Sequence, residues 1–329
     1  METFKKTRIF LGPMSQNIVD TIMKYSEENK EYIGVIPSRR QIEYNGGYVN
    51  NWTTKDLYEY TKNSPYIILE RDHGGIGQGA VMDDGIISMN EDTKYFNIIH
   101  IDPWKYYQNY EDGFQETLEN LIRCYSMNPD LYFEVGTEEA IRPFTAKELD
   151  LFLHDLQNNL PKEIYDRIIF VVIQSGTSLK NLENIGNYQD SKLLDMITVV
   201  KKYRKLTKEH NGDWMKKEDF VSRFENKLDG LNIAPELGTI ETKVVLEHIK
   251  DEEDFEKFFK LCVDSGKWKK WVSKDFVPED NKRKLIEICG HYVFSKQEFN
   301  EIKNKIENID EIIKERLYKQ LKIWFTYIK

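Results

Sequence analysis

Cysteine is scarce: Cys124, Cys262 and Cys289 are the only three in 329 residues, far apart, with no CxxC spacing and no histidine in metal-finger register. A disulfide-stapled scaffold and a zinc ribbon are thereby excluded, and buried thiols in a reducing compartment are expected. No apolar run approaches the roughly 18 residues of a membrane span, and METFKKTRIFLG lacks the apolar core of a signal peptide. A cytoplasmic protein without a membrane partner is expected. Basic residues are in deficit, 47 against 56 acidic, for a formal charge of -9, which argues against nucleic acid as a partner. Internal repeats and low-complexity linkers are also missing.

What is present is ample core material: 40% of residues are hydrophobic and 31% charged, the balance of a globular chain. Short apolar runs alternate with helical patterns. RIFLG at 8 to 12, YIGVIP at 32 to 37, YIILERD at 66 to 72, NIIHID at 97 to 102, LYFEVG at 131 to 136, IIFVVIQ at 168 to 174 and the LNIAP stretch read as strands. The middle four are near-continuous apolar runs, as in parallel strands covered on both faces. Between the runs lie helices such as QNIVDTIMKYSEEN, EDGFQETLENLIRCYSM and LLDMITVVKKYRKL. Thr53 with Asp56, and Thr145 with Glu148, have the spacing of capping boxes.

This rhythm predicts an α/β fold, a (β/α)8 TIM barrel over residues 1–250, in preference to an open doubly wound sheet. From 251 to 329 only amphipathic helices follow, which predicts a helical C-terminal extension packed on the barrel.

The strand ends are unusually polar. YIILERDH ends in Glu70, Asp72 and His73; NIIHIDPWK carries His100, Asp102 and Lys105; LYFEVGTEEAIRP carries Glu134, Glu138, Glu139 and Arg142; FVVIQSGTS ends in Gln174 and Ser175; and LNIAPELGT holds Glu236. Period-two alternation places Glu70 with Asp72, and His100 with Asp102, on shared faces. Singly, each is read as a helix cap or an ion-pair partner. Together, at the carboxyl ends of parallel strands, they predict one cleft, because converging carboxylates repel unless a cation or ligand joins them. Asp72, His100, Asp102 and Glu134 are the candidate metal ligands, and Asp72, His73 and Glu138 the candidate catalytic groups. Oxygen-rich ligands suit Mg²⁺ or Mn²⁺ and a His plus carboxylate set also takes Zn²⁺, so the metal's identity is open. Such a cation polarises carbonyls, the chemistry of sugar aldol cleavage and epimerisation.

GGIGQG after His73 matches neither a Walker loop nor the dinucleotide fingerprint. Its glycines, like Ser175 and Gly176, are read either as backbone approach points for a ligand or as loop residues. In SRRQIEYNGGYVNNW, Arg39, Asn45, Gly47 and Asn51 are candidate contacts for an anionic or polyhydroxylated ligand, joined by Lys105 and Gln174. GKWKKWV is read as a helical segment with its tryptophans packed inward.

These motifs resemble a known family. IPSRRQIEYNGGYVNNW, ILERDHGGIGQG, IIHIDPWK, FEVGTEEA, IQSGTS and NIAPELGT are similar, in the same order, to stretches of the non-catalytic subunits of class II D-tagatose-bisphosphate aldolase. The matching residues are Gly46, Gly47, Tyr48, Asp72, His73, His100, Asp102, Glu138, Gln174 and Gly176. The resemblance implies an aldolase-type TIM barrel acting on a sugar or sugar phosphate. It also implies a possible partner in a separate catalytic class II aldolase chain. The motif after His73 lacks the family's proline, Ser175 stands where proline is expected, and the tyrosine-rich C-terminal motif is eroded, which points to another sugar. Two functions are therefore expected: a metal-assisted sugar aldolase or epimerase, or a barrel that stabilises a catalytic partner. Homo-oligomer formation is left open.

Overall fold

A computed structural model describes residues 2–328. Eight parallel strands close into a barrel: β1 (Ile9–Leu11), β2 (Ile33–Val35), β3 (Ile67–Gly74), β4 (Ile98–Ile101), β5 (Tyr132–Val135), β6 (Ile168–Ile173), β7 (Leu206–Glu209) and β8 (Gly230–Ile233). Each pairs with its sequence neighbours and β8 closes on β1, with Ile9 opposite Leu231. The sequence-based reading lacks β7. It carries the helix before it as far as Leu206, whereas that helix is Asp190–Lys202. The strand LTKE has no apolar run, because its lysine and glutamate find buried ionic partners instead of apolar ones.

Outward-facing Ile9, Leu11, Val35, Ile99, Phe133, Val171 and Ile233 pack under the helices in one continuous core. The interior is filled separately. Phe10 and Phe170 meet edge to face, ring centroids 5.3 Å apart, and Phe4 of the N-terminal helix Glu2–Lys6 belongs to the same cluster. Gly34 makes room for Phe10, since a Cβ there would lie 2.0 Å from the ring.

Above the aromatic layer lies a charged one. The ammonium of Lys208, fully buried, sits 2.7 Å from Glu70 and 2.6 Å from Glu134, and 3.8 Å from the Phe10 ring centroid. Isolated ions in such a place are prohibitively costly, so the layer exists only as a paired set. Burial and the neighbouring Glu134 push Glu70 well above the ordinary carboxylate range. A proton on Glu70 then leaves one carboxylate balancing one ammonium.

Helix starts follow the capping signals with one exchange. Thr53 and Asp56 form the full reciprocal box. Thr145 accepts from the Glu148 backbone N–H, but the Glu148 carboxylate pairs with Arg142, 2.5 Å away, instead of closing its box.

The chain after residue 251 forms helices Glu252–Ser265, Lys282–Cys289, Gln297–Lys303 and Ile309–Tyr327. The last packs beside the barrel helix Gln16–Asn29, with the Tyr25 and Phe325 rings tilted against each other at 5.0 Å. The three cysteines are buried and free. Among the described residues no helix is long and apolar enough to cross a membrane.

Candidate active site

The stretch Glu70, Arg71, Asp72, His73 is a strand that alternates and then breaks its own rule. Glu70 points into the barrel, while Arg71 points out into the helical layer, buried, donating to both oxygens of Asp92 and to the Pro37 and Ile42 carbonyls. Asp72 points in again, and period two would send His73 outward. It does not go there: Arg71 pairs with Ile99 but Gly74 with Ile101, so β3 spends three residues where β4 spends two. This bulge, with His73 at a left-handed φ of 50°, turns both neighbours toward the mouth. A non-glycine residue held there stores strain that the surrounding contacts must offset.

Asp72, His73, His100 and His210 each bring one ligand-capable atom to within 4.8 Å of all the others. The imidazoles form a near-equilateral triangle, with ring centroids 5.0, 5.1 and 5.1 Å apart. Each ring is fixed from behind. His73 Nδ1 donates to Asp102 at 2.6 Å, His100 Nε2 to the Gly136 carbonyl at 3.0 Å, and His210 Nε2 to Glu134 at 2.7 Å. Those bonds set the tautomers and leave His73 Nε2, His100 Nδ1 and His210 Nδ1 as acceptors facing one another. His100 Nδ1 is met only by a 3.4 Å contact from the His73 backbone N–H. Imidazoles whose second nitrogen is tied to a carboxylate or carbonyl are the usual arrangement around a metal. Three nitrogens and a carboxylate oxygen fit Zn²⁺ best, and also other divalent first-row ions.

Electrostatics agree with a cation here. Burial disfavours charge on all three rings and brings His100 down to about 3 and His210 well below its usual value. His73 is the exception, because Asp72, Asp102 and Glu138 outweigh burial and hold it well above 6.5. Burial raises Asp72 to about 7, against the pull of His73. Burial also opposes charge on Glu138, but His73 and Asn211 bring it down to about 2. His73 is thereby the imidazole of the three that favours its charged form, beside the ionised Glu138.

Around this cluster opens a cavity of about 300 Å³ whose lining includes Ser38, Tyr48, Asp72, His73, Lys105 and Glu138. Of the residues singled out from sequence, Asp72, His73, Glu138 and Lys105 line it and His100 belongs to the ligand cluster. Asp102 and Glu134 stand one layer back, each holding an imidazole. Tyr48, singled out by the motif resemblance, lines it too, whereas the remaining candidate contacts are not brought to the cavity. Arg39 is buried between Glu43 and Asp83; Asn45 and Asn51 are exposed; and Gly47 lies on the Gln41 backbone, where a Cβ would come within 2.1 Å of its carbonyl oxygen. Gln174 ties down the loop after β5 through Thr137, Arg142 and Phe144. Ser175 donates to Glu209, and Gly176 lines a separate depression. His210 is the member of this cluster that the sequence reading missed. The signal was available in the strand the βα rhythm leaves missing between the helix read as far as Leu206 and the LNIAP strand.

No protein-family model and no curated protein sequence matches the chain. Solved structures do match along almost all of it. A probable tagatose 6 phosphate kinase from Sinorhizobium meliloti 1021 superposes with a TM-score of 0.76 at 11% identity, covering 98% of this chain and 100% of that one. The fructuronate-tagaturonate epimerase UxaE from Cohnella laeviribosi, in a glycerol complex, gives 0.69 at 10%, with 98% and 81% covered. The YdjI aldolase from Escherichia coli K12 gives 0.60 at 10%, with 97% and 92% covered. At such identities the likeness establishes the fold.

Proposed function

We propose that the chain is a metal-dependent enzyme of carbohydrate metabolism that cleaves, forms or epimerises a carbon centre next to the carbonyl of a sugar or sugar phosphate. The observation that carries this reading is the triangle of imidazoles, two buried and His73 half-buried, with Asp72, each ring locked from behind and its free nitrogen turned inward. His73, His100, His210 and Asp72 would hold the cation. When bound, it would polarise a substrate carbonyl and acidify the neighbouring carbon. Glu138 Oε2, 3.6 Å from His73 Nε2, is the ionised acceptor placed to take a proton. The structural neighbours named as aldolase and epimerase support the reaction class, and the sequence motifs support a tagatose-bisphosphate-aldolase-like ancestry.

The test is metal titration of stripped protein, wild type against Asp72→Ala and His210→Ala, followed by assay of aldol cleavage and epimerisation on phosphorylated and free ketoses. Stoichiometric metal uptake and metal-dependent turnover are expected; failure of the wild type to take up any divalent ion refutes the proposal. The motif resemblance favours a second reading, a barrel that supports a separate catalytic aldolase chain. Turnover by the isolated chain eliminates it.

A further inference from the structure

The chain after residue 251 does more than cover helices. Residues 267 to 292 bend over the barrel mouth and contribute Lys270, Trp271, His291 and Tyr292 to the cavity wall. The segment is held by one contact within it and one just past its end. The Asn181 N–H, on the hairpin after β6, donates to the Trp271 carbonyl, and the Ser295 hydroxyl donates to the Tyr48 carbonyl in the loop after β2.

His291 is anomalous there. It is 1% exposed, yet neither ring nitrogen has a hydrogen-bond partner. Its Cβ, Cγ and Nδ1 stand against Gly238, where an added Cβ would come within 2.6, 2.9 and 3.3 Å of them, so Nε2 is the nitrogen at the end of the ring away from that helix. Burial and the nearby Lys270 keep it neutral. A neutral imidazole has one donor and one acceptor, and leaving both unmade in a buried place is a net loss to the fold. A phenylalanine would fill the place without that loss.

Three cations share the same rim without carboxylate partners. Among the described residues Arg40, Lys105 and Lys270 make no ion pair: Arg40 donates to the Gly79 carbonyl, Lys105 to the Gly77 carbonyl, and Lys270 lies 4.6 Å from the Trp271 ring centroid. Burial lowers the Lys105 titration most, and the charges of Arg40 and Lys270 lower it further against the pull of Asp102. Elsewhere this acidic chain pairs many of its lysines and arginines with carboxylates.

We infer that this wall is a substrate subsite, in which Arg40, Lys105 and Lys270 receive a terminal anionic group, phosphate or carboxylate, and His291 hydrogen-bonds a hydroxyl of the chain that joins that group to the reacting end. The inference rests on the mouth being a substrate site, as proposed above, and deepens it: the substrate is an anionic polyol held at its far end by the C-terminal segment.

The experiment measures binding of glycerol 3-phosphate, D-glycerate and glycerol to full-length, metal-stripped protein by titration calorimetry. Preference for one or both anions over glycerol is expected, and the tighter of the two identifies the anionic group. Lys270→Gln and Lys105→Gln should each weaken that binding about tenfold or more, the effect of a hydrogen bond to a charged group. His291→Phe should weaken it severalfold while raising the thermal midpoint; His291→Gln, which keeps a donor and an acceptor, should recover part of the affinity. Equal binding of glycerol and both anions, or wild-type affinity in both Lys270→Gln and His291→Phe, overturns the inference. Metal uptake measured on the same samples separates the two proposals. Anion binding without metal uptake leaves the subsite standing and removes the metal reading, and the converse removes only the subsite.

Discussion

Replacing Lys208 with methionine tests whether the barrel interior is held by charge balance. The side chain is fully buried between Glu70 and Glu134, 2.7 and 2.6 Å from their oxygens. Methionine fills the same stem against Phe10 and Phe170 but removes the ammonium, so a carboxylate stays buried with only the His210 N–H for support. Breaking a buried pair in this way costs about 3–5 kcal/mol. At about 2 °C per kcal/mol for a chain of this size, the thermal midpoint should fall by about 6–10 °C. The sign of the pH dependence follows from Glu70, whose pKa already lies well above 4.5 in the fold. A carboxyl raised in the folded state keeps a proton that the unfolded chain releases, so folding weakens as pH rises from about 4.5 toward the folded value. Removing the ammonium raises that value further, so the Lys208→Met deficit should be smaller at pH 5 than at pH 8. Circular dichroism melts of both proteins at the two pH values measure it, and adding Glu134→Gln should recover much of the loss. A deficit under about 1 kcal/mol, equal at both pH values, would refute the balanced-layer argument.

Three other outcomes are expected. Metal-stripped His210→Ala should fail to take up one equivalent of Zn²⁺, and Asp102→Asn, which alters the group behind His73, should bind it about 10–100-fold more weakly in competition with a chromogenic chelator. Arg71→Met should cost about 3–5 kcal/mol in denaturant unfolding, since Asp92 is left buried without its bidentate partner; an unchanged midpoint would show that the outward arginine is dispensable. Gly34→Ala should cost about 1–3 kcal/mol, and Phe10→Leu beside it should restore part, because the new methyl and the ring compete for the same space.

Repeating apolar runs and the helices between them already specify a parallel (β/α) sheet, because a strand covered on both faces must be apolar on both. The polar strand ends were legible for the same reason: Asp72, His73, His100 and Glu138 interrupt patterns that have no packing reason to stop. Two things were not legible. Strand β7 is a central strand without an apolar residue after Leu206, since Lys208 is neutralised by glutamates more than seventy residues upstream and Glu209 by Arg223, 2.6 Å away. With it His210 was lost, although it completes the imidazole triangle.

Whether a polar residue acts as ligand, support or scaffold is likewise a matter of three-dimensional neighbours. Glu134 and Asp102 carry the same chemistry as Asp72, yet they stand behind histidines, and Arg39, Gln174 and Ser175 are consumed by local structure. His73 reaches the mouth only through a one-residue bulge. The sequence by itself determined the architecture, because periodicity is a local property of the chain. The tertiary structure alone decided the site, because charge compensation, bulge register and the folding of residues 267 to 292 over the barrel depend on contacts between segments far apart in sequence.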